Sequence, residues 1–216
     1  MNSECIHNYI MNDLISDDFI IKKIKDTDQI NINWKTGNHT FVDDKNRDKW
    51  TFLMAACYKD RVELVRYLLS HPELVINLLS DYFWDTALHI ACIYNRFDCV
   101  NLLLKNPFIN VNNRASVDHS LTALHYACIY GHILCAKLLL LDSRVDVGII
   151  SDYAKSTPER CAIQRGHYAI GKMICNSICT CLLRIPNASL CKDIIRTIII
   201  EYICPNYESI RNLKNL

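Results

Sequence analysis

Apolar and polar positions along the chain fall into the same phase four times. Thr51-Phe52-Leu53-Met54-Ala55-Ala56-Cys57, Thr86-Ala87-Leu88-His89-Ile90-Ala91-Cys92, Thr122-Ala123-Leu124-His125-Tyr126-Ala127-Cys128 and the more degraded Thr157-Pro158-Glu159-Arg160-Cys161-Ala162-Ile163 align without gaps, their threonines 35 or 36 residues apart. Nine residues after each Thr stands Asp60, Asn95, Gly131 or Gly166. A second apolar segment then ends in Leu68-Leu69, Leu103-Leu104, Leu139-Leu140 or Ile174-Cys175. The pattern predicts a pair of helices in each unit. A threonine hydroxyl accepts one of the orphan backbone N–H groups at a helix start. Ala55, Ala56, Ala91 and Ala127 let neighbouring helices approach closely. Glycine, and less readily Asn or Asp, supplies the left-handed residue that stops the first helix. Leu64, Val65, Leu68 and Leu69 have the spacing of an amphipathic second helix. Such a pair is too small to bury its own apolar face, so like units must stack, and the expected fold is an all-α solenoid.

The blocks resemble the ankyrin repeat family. Thr-Ala-Leu-His-x-Ala-Cys is similar to its Thr-Pro-Leu-His-x-Ala-Ala signature, Gly131-His132 and Gly166-His167 to its Gly-His between helices, and Asn110-Val111-Asn112 to its Asp-Val-Asn hairpin. The resemblance covers residues 48–176, divided as 48–82, 83–118, 119–153 and 154–176. Two features depart from it. The units run two or three residues longer than the family's 33, with the excess near His71-Pro72 and Asn106-Pro107. The family's Gly two residues before the Thr is replaced by Lys49, Trp84, Ser120 and Lys155, which leaves the hairpin geometry open. Residues 1–47 read as an atypical capping repeat, with helix-like runs over 6–15 and 18–25, then Ile30-Asn31-Ile32-Asn33 as a hairpin entry. An extended loop with a Gly37-Asn38 turn follows. Residues 177–216 read as C-terminal capping helices.

Composition narrows the function. Lys and Arg total 24 against 23 Asp and Glu in 216 residues, and a net charge of +1 argues against a basic nucleic-acid binder. Half the residues are hydrophobic, enough to build a core. No apolar run is long enough to span a membrane. The acidic N-terminal stretch gives no expectation of a secretory signal. The 12 cysteines sit in apolar, helix-like segments and fit small buried hydrophobes in a reducing compartment. The expected location is the cytoplasm, with the nucleus as the alternative. Abundant Ile and Asn point to an A/T-rich coding sequence, as in a virus or parasite; for a virus the setting would be a host cell's cytoplasm and the process a host–virus interaction.

Candidate chemistry is sparse. His89 and His125 share one register, and the resemblance implies a structural role: a ring bonded to the cap Thr or to backbone, bridging repeats. Cys57, Cys92 and Cys128 share another register and read as packing. Cys175, Cys179, Cys181 and Cys191 lack the paired spacing of a zinc site. There is no Gly-rich phosphate loop, His-Glu-x-x-His or Gly-x-Ser-x-Gly. No enzyme activity, cofactor or metal is expected.

In ankyrin stacks, the resemblance implies, hairpin tips and the exposed ends of first helices line a concave groove. Transferred by register, that groove carries Trp50, Tyr58, Tyr82, Phe83, Tyr94, Tyr130 and Tyr153, edged by Arg47, Lys59 and Arg165. Aromatic anchors edged by cations have the composition of protein-binding hot spots. Tyr94 and Tyr130 are the strongest candidates. The expected function is non-catalytic binding of an unidentified partner protein by a monomer. The alternative is a substrate adaptor of a cullin-type ubiquitin ligase. For that role the tail offers two competing resemblances. Leu190-Cys191-Lys192-Asp193-Ile194-Ile195-Arg196 resembles the core of a SOCS box, which docks elongin B/C. Ile185-Pro186 with 194–203 resembles the F-box-like tail of poxvirus ankyrin proteins, which docks Skp1.

Overall fold

In the computed structural model, residues 2–27, 30–35, 49–81, 83–115, 120–152 and 155–183 are described, with side chains to 178. Among them lie ten helices in five antiparallel pairs: α1 (Ser3–Met11) with α2 (Asp17–Lys25), α3 (Phe52–Tyr58) with α4 (Val62–Leu69), α5 (Ala87–Ile93) with α6 (Phe97–Leu104), α7 (Ala123–Tyr130) with α8 (Ile133–Leu141), and α9 (Pro158–Gln164) with α10 (Tyr168–Leu183). The odd-numbered helices pack in sequence into an inner layer and the even-numbered ones into an outer layer. This is the all-α solenoid expected from the repeat.

Each repeat begins as its threonine dictates. The hydroxyls of Thr51, Thr86, Thr122 and Thr157 accept the N–H groups of Met54, His89, His125 and Arg160 at 3.3–3.4 Å. The first pair starts on different caps, Asn2 for α1 and Ser16 for α2. Helix α1 stops at Met11, short of the predicted run to 15, because the Asn12 side chain accepts the Leu14 N–H and the Asn12 carbonyl accepts that of Ile15. Every first helix from α3 onward ends at a left-handed residue: Asp60 (φ 58°), Asn95 (57°), Gly131 (76°) and Gly166 (81°). The core is one continuous apolar cluster along the stack that includes Leu53, Leu88 and Leu124 of the first helices and Leu64, Leu68, Leu103 and Leu139 of the second.

Two sets of side chains tie one pair to the next. Asn33, Asn77 and Asn112 each hold the following unit with both ends of the amide. Their Nδ2 groups donate to the carbonyls of Glu73, Phe108 and Arg144, all at 2.8 Å. Their Oδ1 atoms accept from Val75, Asn110 and Asp146 at 2.8–2.9 Å. The residue that opens each second helix reaches back instead: Arg61 Nε donates to the Ile10 carbonyl at 2.7 Å, Arg96 Nε to Tyr58 at 2.9 Å, and His132 Nε2 to Ile93 at 3.0 Å.

Three of the four residues that replace the hairpin glycine take up its backbone. Trp84, Ser120 and Lys155 hold φ of 56°, 49° and 45°, the left-handed region that favours glycine. The hairpins still close, through Ser80 N–H to Asp85 O (2.8 Å), the paired bonds of Ala115 and Leu121, and Ser151 N–H to Ser156 O (3.0 Å). The predicted Gly37-Asn38 turn and the tail beyond 183 lie outside the described residues.

Candidate functional site

The short inner helices set the surface of the concave side. Tyr58 ends α3, Tyr94 caps α5 and Tyr130 ends α7. Because the layer advances one helix per repeat, these rings fall into a file. Trp50 meets Tyr58 edge-on with centroids 5.2 Å apart, and Tyr58 meets Tyr94 edge-on at 4.7 Å. Tyr126 lies parallel to Tyr130 at 6.4 Å, and Tyr130 to His132 at 6.0 Å. Burial, and then the neighbouring hydroxyls of Tyr58 and Tyr130, raise the pKa of Tyr94 above the ordinary tyrosine value.

Exposure divides the file. Trp50 is 9% exposed and Tyr58 half-buried, so these rings mainly brace the wall. Tyr94 is 39% and Tyr130 51% exposed, a large apolar area left to water. Phe83 is half-buried on the second hairpin beside the exposed Trp84. Lys59 sits 5.8 Å over the Tyr58 ring with its ammonium 3.0 Å from the Asp13 carboxylate. It also lines a hollow with Asn8, Met11, Asn12 and Tyr58 at the N-terminal end. Arg165, the C-cap residue of α9, is exposed one repeat beyond Tyr130. Tyr82, Tyr153 and Arg47 lie outside the described residues.

Tyr126 escaped the register transfer. It occupies the variable position of the signature, where Ile90 stands one repeat earlier, and its i,i+4 relation to Tyr130 is the signal that marks it. Its hydroxyl bonds Asp85, itself only 6% exposed, and burial together with Asp85 pushes the phenol far above its ordinary pKa. The pair fixes the floor of the groove beneath Tyr130.

His89 and His125 are bonded within the fold. His89 Nδ1 accepts the Thr86 N–H at 3.0 Å, which leaves the proton on Nε2, donated to the Asn113 carbonyl at 3.0 Å. His125 does the same between Thr122 (3.2 Å) and the Ser156 carbonyl (3.2 Å). Burial lowers both rings to a pKa of about 4, so both are neutral at pH 7. The Cys57 thiol is raised by its bond to Cys99 and by burial, and burial raises Cys92 and Cys128. Such thiols are poor nucleophiles and poor metal ligands. Among the described residues no group of three His, Cys, Asp or Glu side chains is placed to hold a metal ion, and no helix is long and apolar enough to cross a membrane.

A family model described as ankyrin repeats (3 copies) matches residues 20–115 and 109–184, more than half of the chain. The chain belongs to the ankyrin repeat family. No curated protein matches it. Ankyrin repeats are generally protein–protein interaction modules, typically without catalysis. The match begins inside α2, so it takes in part of the helix pair that precedes the first ankyrin signature.

Proposed function

We propose that this ankyrin stack binds a partner protein by seating an apolar segment on Tyr94 and Tyr130. One observation carries the reading: Tyr94 and Tyr130, at the same helix-end register of successive repeats, stand 39% and 51% exposed while Trp50 and Tyr58 beside them are braced. Their backs are fixed by Tyr58 and Tyr126, so little side-chain freedom is lost on binding, and preorganised aromatic anchors of this kind dominate interface energies.

The test is capture from cytosol with wild type and Tyr94→Ala/Tyr130→Ala as parallel baits. A species held by wild type and lost by the variant, at an unchanged thermal midpoint, supports the groove. A variant that melts far earlier shows the rings to be core and sinks the proposal.

The finer reading, a ubiquitin-ligase adaptor, draws its support from the sequence of 190–196 and 185–203. Co-elution of the full chain with elongin B/C or with Skp1 decides it, and passage of both without delay removes it. The cytoplasmic setting, in a host cell if the source is a virus, is part of the same proposal; the buried free thiols of Cys57, Cys92, Cys99, Cys128, Cys135 and Cys161 fit it, and the disulfide-bonded Cys175 does not add to it.

A further inference from the structure

Charge is distributed unevenly along the groove. At the N-terminal end Lys59, Arg61, Lys35 and Lys49 have acidic partners within the fold. Lys59 lies 3.0 Å from Asp13 and Arg61 2.8 Å from Asp17, while Lys35 and Lys49 share Asp81 at 2.6 and 3.5 Å. At the C-terminal end the balance differs. Arg160 and Arg165 are exposed on α9 and its cap, and among the described residues neither has an ion-pair partner. The acids nearby are already engaged. Asp152 pairs with Lys155 at 3.1 Å and accepts the Ser120 hydroxyl. Glu159 is 3% exposed, and burial raises its carboxyl to a pKa of about 7, which halves its charge at neutral pH.

Position gives the asymmetry its use. Arg165 holds the helix-end register that Tyr94 and Tyr130 hold in the two preceding repeats, so the file runs from ring to ring to guanidinium. Arg160 holds the register of His89 and His125, one turn from Arg165 on α9, and is exposed there. Guanidinium forks select carboxylates through paired N–H donors.

Building on the groove reading above, we infer that the partner is an acidic protein segment, with an apolar residue over Tyr94 and Tyr130 and two or more carboxylates beyond it on Arg165 and Arg160. The order is fixed by the wall: apolar contact first, acids toward α9. Opposite charge at this end also speeds encounter, which makes binding salt-sensitive.

Selection of a random 12-residue peptide display library on the full chain tests this, with Arg160→Gln/Arg165→Gln and Tyr94→Ala/Tyr130→Ala as comparators. Wild type should enrich apolar residues flanked on one side by Asp or Glu. The arginine variant should enrich the apolar core without the acidic bias and bind the wild-type winner about threefold to tenfold more weakly at low salt. Apolar winners without acids, or an acidic bias that survives in the arginine variant, overturn this inference and leave the groove standing. No winner that depends on the tyrosines overturns the groove and the inference with it. A dT20 oligonucleotide that binds tightly through the arginines, indifferent to the tyrosine changes, marks a general polyanion surface and also overturns the inference.

Discussion

Glu159 stands where Leu53, Leu88 and Leu124 stand in the preceding repeats, and it is as buried as they are. Its carboxyl is raised from the ordinary 4.5 to about 7, so the native state holds a proton that the unfolded chain releases earlier. Stability from this group is therefore present below pH 4.5 and is lost as pH rises through 7. Glu159→Gln should match wild type in urea melts at pH 4.5 and exceed it increasingly toward pH 8, by on the order of 2 kcal/mol. His7, His89 and His125 act in the opposite sense. Burial lowers each to about 4, so the native state resists protonation, and their contribution is present above pH 6.5 and lost as pH falls through 4. His125→Ala leaves the Ser156 carbonyl without this donor and should cost about 2–3 kcal/mol at pH 7, read as a shift in the urea midpoint.

Between neighbouring elements, the close approach of the α7–α8 turn to His167, just before α10, depends on Gly131. Its φ of 76° strains any other residue, and a Cβ there would lie 2.5 Å from His167 Cε1. Gly131→Ala should destabilise by about 2 kcal/mol or more, with amide exchange accelerated first in α9 and α10. Gly131 was legible in the sequence, as were the threonine caps and the paired helices, because each is dictated by local backbone chemistry at a fixed register; the bridging histidines were legible only through the family resemblance. The left-handed backbone at Trp84, Ser120 and Lys155 was not, since no glycine announces it and neighbouring repeats impose it. Nor was the amide clamp of Asn33, Asn77 and Asn112, because asparagine in a loop reads as a turn residue until its partner, one repeat away, is in view. In the groove, register gave Tyr94 and Tyr130 their places. The burial of Trp50 and the pairing of Lys59 with Asp13 depend on how the first helix pair docks, which periodicity does not encode. Asn77→Ala, which breaks one clamp, should cost about 1–2 kcal/mol in a urea melt.

For the whole molecule, a stack held by nearest-neighbour contacts opens from its ends. Arg61 is the main fastening of the first pair. Its side chain is 9% exposed, and its guanidinium donates to the carbonyls of Ile10, Asn12 and Ile15 and to Asp17. Arg61→Ala should release α1 and α2, with their amides losing exchange protection while α5 to α8 keep theirs. At the other end the clamp series runs Asn33, Asn77, Asn112 and then Gly148, which has no amide to offer. Helix α10 accordingly runs 16 residues where the earlier second helices run 8 or 9. Lengthening this rod by grafting another unit onto its far end would therefore need an asparagine installed at 148 and α10 cut to two turns. Without both changes an appended module lacks the amide clamp that joins the earlier units and should hang from the rod as a separate bead.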